Sequence, residues 1–314
     1  MNDACAPLFT EPLADTLERA THSVGEILLG KEKAVRLSLA AFIAGGHLLI
    51  EDLPGMGKTI LAHALARVLG LQFRRVQFTS DMLPGDLTGA SVFERETGKF
   101  AFHEGPIFTE VLLADEINRA SPKTQSALLE AMEERQVTSD GVSRPLPRSF
   151  FVIATQNPID QRSTNPLPEA QLDRFMMRLS LGYPDEQSEL LILRGEDRRQ
   201  QIARLSPVME MPAITALQSA ARNIHASDAL LSYIRALAEH TRNRAGLPFG
   251  LSPRGAQALL AAARAWAFIA GREHVLPDDV QAVFPAVVPH RVGLGNALDS
   301  EANSRELIAA VALP

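Results

Sequence analysis

The chain has 314 residues, of which 46% are hydrophobic and 22% are charged, and its formal net charge is −6. These values are ordinary for a globular protein, and the length is sufficient for two domains. The negative charge argues against a protein that binds nucleic acid by neutralising phosphates, and the single cysteine, Cys5, excludes a disulfide framework and a cysteine metal site.

The N-terminal residues, MNDACAPLFTEPLADTLE, lack the basic segment and the apolar core of a signal peptide. The most apolar stretch, LSLAAFIAGGHLLIED, is interrupted by Gly45, Gly46 and His47 and is too short to cross a membrane. We therefore expect a cytoplasmic protein without a membrane span.

Short apolar runs alternate with helical patterns up to residue 184, which predicts an α/β fold with a parallel sheet covered by helices. Several runs are almost continuously apolar, as is typical of strands buried on both faces. The predicted strands are HLLIE (47–51), FRRVQF (73–78), VLLADE (111–116), FFVIATQ (150–156) and MMRLSLG (176–182).

Two helices and two hairpins are predicted between these strands. GKTILAHALARVLG has helical spacing and ends at Gly70, and a second helix begins with Ser121 as N-cap and Pro122 at its first position. The segments around Thr97-Gly98 and Asp140-Gly141 each predict a β-hairpin inserted into the α/β core.

The pattern changes after LGYPDEQSE. Residues 185–314 are rich in Ala, Leu and Arg, and Pro and Gly occur only between helical segments. We therefore predict an α/β core at residues 1–184, which includes an N-terminal helix, and an all-helical domain at residues 185–314.

The segment EDLPGMGKTI (51–60) lies between a predicted strand and a helix, which is the context of a phosphate-binding loop. Gly55 and Gly57 would bring backbone N–H groups close to phosphates, Lys58 would reach the β- and γ-phosphates, and the Thr59 hydroxyl would bind Mg²⁺. Asp52 replaces the usual first glycine, so a chance Gly-Lys-Thr remains an equal alternative for this segment alone. Because the first loop position lies at the strand end, the Asp52 side chain either points away from the phosphates or contacts something near the nucleotide mouth.

Polar residues also follow two other predicted strands. VLLADE ends in Asp115 and Glu116, where P-loop ATPases hold Mg²⁺ and activate the attacking water. FFVIATQNP ends in Asn157, which would orient that water or contact the γ-phosphate. An exposed acidic pair and a turn asparagine before Pro158 are the alternatives, but three motifs in this order predict one site.

The succession of GMGKT, LLADEINRASPKTQSALLEAMEERQVT, FFVIATQNP, PLPEAQLDRFMMRLSLGYP and LSPRGAQAL resembles the MoxR family of AAA+ ATPases, from Val24 to the C-terminus. The resemblance implies an αβα P-loop AAA+ core with a parallel five-stranded sheet and β-hairpin insertions, followed by an all-helical lid domain. The family often has an acidic residue at the first loop position, as Asp52 is here.

The resemblance also implies roles for single residues. Lys58 would contact the phosphates, Glu116 would be the catalytic base, and Asn157 would be sensor 1. Thr59 and Asp115 would hold Mg²⁺. The complete set implied to bind ATP is Gly30, Pro54, Gly55, Met56, Gly57, Lys58, Thr59, Ile60 and Asp115.

Two arginines match family motifs. Arg174, in LDRF, resembles the arginine finger offered to a neighbouring subunit's ATP, and loss of such a finger costs about 10³–10⁵ in rate in related systems. Arg254, in LSPRGA, resembles sensor 2 and would act on its own or on a neighbour's nucleotide. The alternatives are a salt bridge of Arg174 with Asp173 or Glu169, and pairing of Arg254 with an acid near a helix start.

Two further segments bear on the resemblance. ILLGKEKAV (27–35) is similar to the family's adenine-side segment, where Gly30 would let a purine approach, although an ordinary helix connection is an alternative. The chain departs from the family pattern at QRSTNPLPEA, where Arg162, Ser163 and Asn165 replace more typical residues. This departure puts the loop's contacts with a neighbour or client in doubt.

The resemblance implies an ATP-hydrolysing, chaperone-like remodelling or maturation factor that works as a ring, a hexamer, on a partner with a von Willebrand factor A domain. One alternative is a nucleic-acid or chelatase-type motor of the same hairpin-insert clade, but the acidic balance argues against it and a solvated face explains Arg74 and Arg75. The other alternative is a regulatory switch that hardly hydrolyses ATP, and Asp115 and Glu116 argue against that.

Overall fold

The computed structural model describes residues 11–158, 165–195, 197–295 and 297–313. Cys5 and the departing residues Arg162 and Ser163 lie outside these ranges. Within them, no helix is both long and apolar enough to cross a membrane.

The central sheet has five parallel strands in the order β2-β5-β8-β1-β9. All five predicted strands are confirmed, with bounds that differ by one to three residues. In chain order, the strands of the described residues are β1 Leu48–Glu51, β2 Phe73–Gln77, β3 Gly89–Glu94, β4 Lys99–Glu104, β5 Val111–Asp115, β6 Gln136–Ser139, β7 Val142–Pro145, β8 Phe151–Gln156 and β9 Met177–Leu179.

The sheet separates two hydrophobic cores because neighbouring side chains on a strand point to opposite faces. Leu48 and Ile50 of β1 face a core shared with the N-terminal and C-terminal helices. Leu49 faces the other core, which contains Phe78 and Phe175. Every residue of β1 and β5 is buried, as predicted from their continuous apolar runs.

The helices cover both faces of the sheet and make up most of the chain after β9. Those of the described residues are α1 Glu11–Ile27, α2 Glu32–Ile43, α3 Lys58–Val68, α4 Pro84–Thr88, α5 Pro122–Glu134, α6 Glu169–Leu172, α7 Glu186–Arg194, α8 Arg198–Arg204, α9 Met211–Arg222, α10 Asp228–Asn243, α11 Pro253–Ile269, α12 Pro277–Val287 and α13 Ser300–Ala309. The predicted helical character after residue 185 is confirmed, whereas the boundary between two domains there stays a prediction.

The predicted helix ends and hairpin turns are confirmed. Gly70 closes α3 with φ +66°, and the Ser121 side chain caps α5 by accepting a hydrogen bond from the Thr124 N–H. β6 and β7 are joined by Asp140 and Gly141, both with positive φ, as the tightest hairpin turns require. The hairpin of β3 and β4 pairs antiparallel on either side of its own glycine turn.

Candidate functional site

The phosphate-binding loop joins β1 to α3. Gly55 and Gly57 have φ values of +86° and +94°, which favour glycine, and Gly57 directly precedes the first turn of α3. A Cβ at position 57 would meet Leu28 Cδ1 at 3.0 Å, whereas one at position 55 would project into open space. The loop therefore leaves room for an anion at the N-terminus of a helix, where free N–H groups favour phosphate.

Lys58 lies across the mouth of this loop. Its ammonium donates a hydrogen bond of 2.6 Å to the backbone carbonyl of Asp52. Burial lowers the pKa of Lys58, and the nearby carboxylates of Asp52, Asp115 and Glu116 oppose that shift. The charge of Lys58 is thus supported by three carboxylates in its neighbourhood, although its hydrogen bond is to a backbone carbonyl.

Of its two possible orientations, the Asp52 side chain takes the outward one and points away from the loop. It is only 1% exposed, and its Oδ2 accepts hydrogen bonds from Ser180 Oγ at 3.1 Å, the Gly182 N–H at 2.9 Å and the Leu181 N–H. These partners follow β9, the neighbour of β1 on the side away from β8. The acidic residue therefore fastens the loop to the adjacent strand and does not enter the phosphate site.

Asp115 ends β5 with both carboxylate oxygens engaged. Thr155 Oγ1 donates to Oδ1, while Arg75 Nη2 and Nε donate to Oδ2 at 2.7 Å and 3.1 Å. Arg74 and Arg75 are both exposed, in agreement with the interpretation of a solvated face, but Arg75 in addition pairs with Asp115. Arg75 and Gln77 share one face of β2, because side chains two residues apart on a strand point the same way. That spacing was a usable signal.

Glu116 follows Asp115 in a left-handed conformation, with φ +56°. Its backbone N–H donates to Thr155 Oγ1 at 2.9 Å, so one hydroxyl holds both acidic residues in place. The Glu116 carboxylate accepts from Gln77 Nε2 at 2.8 Å and from Arg119 Nη1 at 2.9 Å. The predicted base is therefore half-exposed but held by two donors to which the sequence analysis gave no role.

The three predicted strand ends meet at one edge of the sheet. Ala114 of β5 is level with Ala154 of β8, and Glu51 of β1 is level with Gln156. Asn157 follows Gln156 directly, and Gln156 Nε2 donates to Glu51 Oε1 at 2.7 Å. The edge that carries the phosphate loop thus also carries Asp115, Glu116 and Asn157.

This edge fits a nucleotide with Mg²⁺. The left-handed glycines and the N-terminus of α3 suit phosphates, and the hydroxyl of Thr59 and the carboxylate of Asp115 are the hard oxygen ligands that Mg²⁺ prefers. Mg²⁺ would share Asp115 with Arg75, which already binds one of its oxygens.

Gly30 lies between this edge and α7. Its φ is +68°, and an added Cβ would approach Asp185 Oδ2 and Ser188 Oγ to 2.6 Å. Leu28, two residues earlier, lies where a side chain at position 57 of the phosphate loop would begin. The segment predicted to face adenine is therefore packed between the loop and the start of α7.

Arg174 and Arg254 lie at the opposite edge of the sheet. Arg174 precedes β9, and the nearby Met176 N–H donates to the carbonyl of His47, which precedes β1. The four residues of β1 span about 13 Å at about 3.3 Å each. Neither arginine is therefore brought to the phosphate loop of its own subunit.

Both arginines pair with Glu133. Arg174 Nε lies 2.9 Å from Glu133 Oε2, and Arg254 Nη1 lies 2.9 Å from Glu133 Oε1. The alternative partners considered for Arg174, Asp173 and Glu169, were wrong, because the end of α5 brings Glu133 across from the loop. Asp173 lies instead 3.9 Å from Arg254 Nε.

Arg291 supports the loop that carries Arg174, and no sequence signal distinguished it from a surface arginine. Its side chain is 4% exposed, with Nε 2.8 Å from Asp173 Oδ1 and Nη2 2.7 Å from the Phe175 carbonyl. Nη1 donates to the Met176 carbonyl at 3.1 Å. Burial lowers the pKa of Arg291 to about 10, against the opposing effect of Asp173, so the side chain remains charged at neutral pH.

The comparisons with known proteins agree with this geometry. A family model described as the ATPase family associated with various cellular activities (AAA) matches residues 47–177, and one described as the AAA lid domain matches residues 239–311. YeaC of Bacillus subtilis (strain 168) is 44% identical over 98% of this chain and 97% of that protein. Chaperone MoxR1 of Mycobacterium tuberculosis (strain ATCC 25618 / H37Rv) is 37% identical over 95% of this chain and 82% of its own length.

A solved structure of a candidate ATPase from Cytophaga hutchinsonii ATCC 33406 has a TM-score of 0.85 and 34% identity, and the match covers 96% of both chains. The fold of nearly the whole chain thus recurs in that protein. From its α/β P-loop fold and these relatives, the chain belongs to the MoxR family of AAA+ ATPases.

Proposed function

We propose that this protein hydrolyses ATP as a ring oligomer, a hexamer by family resemblance, and uses the energy to remodel or mature a partner protein. One observation carries the proposal: the phosphate loop with Glu116 lies at one edge of the sheet, while Arg174 and Arg254 lie at the other. A site divided in this way is completed when the far edge of one copy meets the loop of the next, and such head-to-tail contacts close into rings.

The loop edge would bind ATP and prepare the water. Lys58 would leave the Asp52 carbonyl and move onto the β- and γ-phosphates, and Thr59 and Asp115 would hold Mg²⁺. Mg²⁺ supplies charge neutralisation on the phosphates when it is bound. Glu116 would accept the proton of the attacking water, and Asn157 would orient that water.

The arginine edge would act on the ATP of the neighbouring subunit. A guanidinium stabilises charge on the transferred phosphoryl group, and such an arginine contributes about 10³–10⁵ in rate in related systems. Because Arg254 is paired with the same carboxylate as Arg174, we propose that both act on the neighbour's nucleotide.

The resemblance also implies an adenine-binding segment, a partner protein and a cellular location. The backbone at Gly30 would lie on the adenine side of ATP, and Pro54, Met56 and Ile60 complete the set that the resemblance implies for ATP binding. The relative MoxR1 is called a chaperone, which supports a client protein as the partner. A von Willebrand factor A domain on that client and a cytoplasmic location stay proposals from the resemblance.

Two variants test this function. Glu116→Gln keeps the loop and the metal ligands, so it should bind ATP normally while steady-state hydrolysis falls at least a hundredfold, given that a positioned base contributes about 10²–10⁴. Lys58→Ala gives the background rate. Normal turnover in Glu116→Gln would remove that residue from the base role, and wild-type turnover equal to that of Lys58→Ala would favour the regulatory switch.

Mixed oligomers test the divided site. Arg174→Ala should be inactive alone, and activity should return when it is mixed with Glu116→Gln subunits, which cannot hydrolyse ATP but supply intact arginines. A mixture no more active than its two components would contradict action on the neighbour's nucleotide.

A further inference from the structure

Glu133 joins the two arginines through one carboxylate. Each of its oxygens accepts from a different guanidinium, Oε2 from Arg174 and Oε1 from Arg254, both at 2.9 Å. The hydrogen bond from Arg254 lowers the pKa of Glu133, with Arg174 adding to the shift, so this carboxylate is charged at neutral pH. The two arginines come from different parts of the chain, and Glu133 is the shared contact that brings them together.

The contacts with Glu133 use only part of each guanidinium. A guanidinium carries five N–H donors in a flat fork. Arg174 uses Nε alone among its described contacts, which leaves its terminal Nη1 and Nη2 groups for another acceptor. Arg254 uses Nη1 on Glu133 and has Nε 3.9 Å from Asp173. A carboxylate that accepts from one nitrogen of each guanidinium orients both side chains and leaves other N–H groups of each available.

The position of Glu133 itself is fixed. It lies in the last turn of α5, where the Met132 carbonyl pairs with His47 Nε2 at 3.2 Å. On its other side, Arg135 donates to the carbonyls of Gly45 at 2.9 Å and Arg148 at 2.8 Å. These contacts tie the end of α5 to the sheet, so the carboxylate stands on a rigid element.

An open cavity of about 230 Å³ lies beside the pair, lined by Glu133, Arg174 and Arg254 among others. Two like charges held close together repel each other, and the carboxylate between them offsets that repulsion. Arg174 and Arg254 can therefore lie close together before a phosphate binds. Without Glu133 the more exposed guanidinium, that of Arg254, would be free to swing into solvent.

We propose that Glu133 is a positioning residue that holds Arg174 and Arg254 as one prearranged fork for the γ-phosphate bound by the neighbouring subunit. This inference rests on the proposed function, because it assumes that both arginines act on a neighbour. The opposite role, a carboxylate that withholds the arginines from phosphate, predicts faster hydrolysis when its charge is removed, whereas positioning predicts slower hydrolysis.

The first test is steady-state kinetics of Glu133→Gln, which keeps the side-chain shape but turns an NH₂ group toward one guanidinium. We expect kcat to fall about tenfold or more while KM for ATP changes less than twofold, because the phosphate loop that binds ATP is untouched. Glu134→Gln is the matched control, since Glu134 is the next residue, is exposed and has no ion pair among the described contacts. Unchanged or increased kcat in Glu133→Gln would overturn the proposal.

Mixed oligomers separate a positioning role from a general structural one. In a mixed ring, the ATP site of an Arg174→Ala subunit is completed by the arginines of a neighbouring Glu116→Gln subunit. If Glu133 positions the arginines, adding Glu133→Gln to the Glu116→Gln subunit should reduce the rescue about tenfold, and adding it to the Arg174→Ala subunit should leave the rescue intact. Equal rescue by both arrangements would overturn the proposal, as would equal loss in both.

The same mixtures distinguish failure of the divided site from failure of the role of Glu133. Absence of rescue by Glu116→Gln itself would reject the divided site, and the role of Glu133 with it. Rescue by Glu116→Gln and equally by Glu116→Gln with Glu133→Gln would reject only the role of Glu133.

Discussion

The Asp52 carboxylate accepts a hydrogen bond of 2.9 Å from the backbone N–H of Gly182 and so joins the phosphate loop to the end of β9. The residue that interrupts the usual loop spacing is therefore a buried structural acceptor. The same residue's carbonyl accepts from Lys58, so a single position contacts both the cation of the loop and the chain leading to α7.

Asp52→Asn should lower the free energy of unfolding by about 1–3 kcal/mol, the cost of leaving a buried donor unpaired. The amide oxygen can take the place of Oδ2 opposite Leu181 and Gly182, but it is a weaker, uncharged acceptor, and the NH₂ group would then face the N–H of Leu53. Urea unfolding measures the loss, with Asp15→Asn on the exposed side of α1 as the control. Equal stability of the two variants would contradict the anchoring role.

The stability of the protein should fall below neutral pH because His47 is buried in its neutral form. Burial lowers the pKa of His47 to about 4, and its Nδ1 accepts from the Val152 N–H at 3.1 Å. The ordinary pKa of about 6.5 applies in the unfolded chain, which binds the proton more tightly. This contribution is present above pH 6.5 and declines as the pH falls toward 4, with about 2 kcal/mol lost by pH 5.

Urea unfolding at pH 7, 6 and 5 measures this slope. His290 is also buried with a pKa well below its ordinary value, so it adds to the decline. His47→Gln should be less stable than the wild type at pH 7 but should lose less stability between pH 7 and pH 5. His22→Gln, at an exposed position of α1, should keep the wild-type slope. A wild-type slope in His47→Gln would exclude this histidine as a source.

Thr155→Val should reduce kcat about tenfold with ATP binding retained. The variant keeps the shape of the side chain but removes the hydroxyl that donates to Asp115 and accepts from the Glu116 N–H. Loss of one such hydrogen bond is worth about 1–1.5 kcal/mol, which corresponds to about tenfold in rate when it disturbs the base. Single-turnover hydrolysis and nucleotide titration separate the two effects.

The control for this variant is Thr215→Val, since Thr215 is an exposed threonine of α9 whose hydroxyl contacts only its own helix. Both variants should fold with similar far-UV spectra. A kcat in Thr155→Val equal to that of the control would show that Glu116 holds its position without the hydroxyl.

Arg291→Lys should lower kcat about tenfold and the free energy of unfolding by about 1–3 kcal/mol, although the charge is kept. A lysine ammonium cannot reach Asp173 and the carbonyls of Phe175 and Met176 together as the guanidinium fork does. The loop bearing Arg174 would then lose its support. Arg305→Lys, at an exposed position of α13, is the control, and unchanged kcat in Arg291→Lys would separate this residue from the arginine edge.

Local patterns were sufficient where a residue's role depends on its near neighbours. The strand before the phosphate loop, the glycines of that loop and the caps of α3 and α5 follow from spacing and backbone preference over fewer than about fifteen residues. Asp115, Glu116 and Asn157 were placed at one edge for a similar reason, since parallel strands end with their carboxyl ends together.

Contacts between residues far apart in the sequence could not be predicted from local patterns. Arg291 is separated from Asp173 by 118 residues and Arg254 from Glu133 by 121, and no periodicity links positions that far apart. The sequence by itself therefore determined the fold class, the phosphate loop and the acidic strand ends, because these rest on short-range stereochemistry. Only the tertiary structure decided where the Asp52 side chain points and which partners hold Glu116. It also decided that Arg174 and Arg254 meet at Glu133, because packing of distant segments chooses the partners of a long charged side chain.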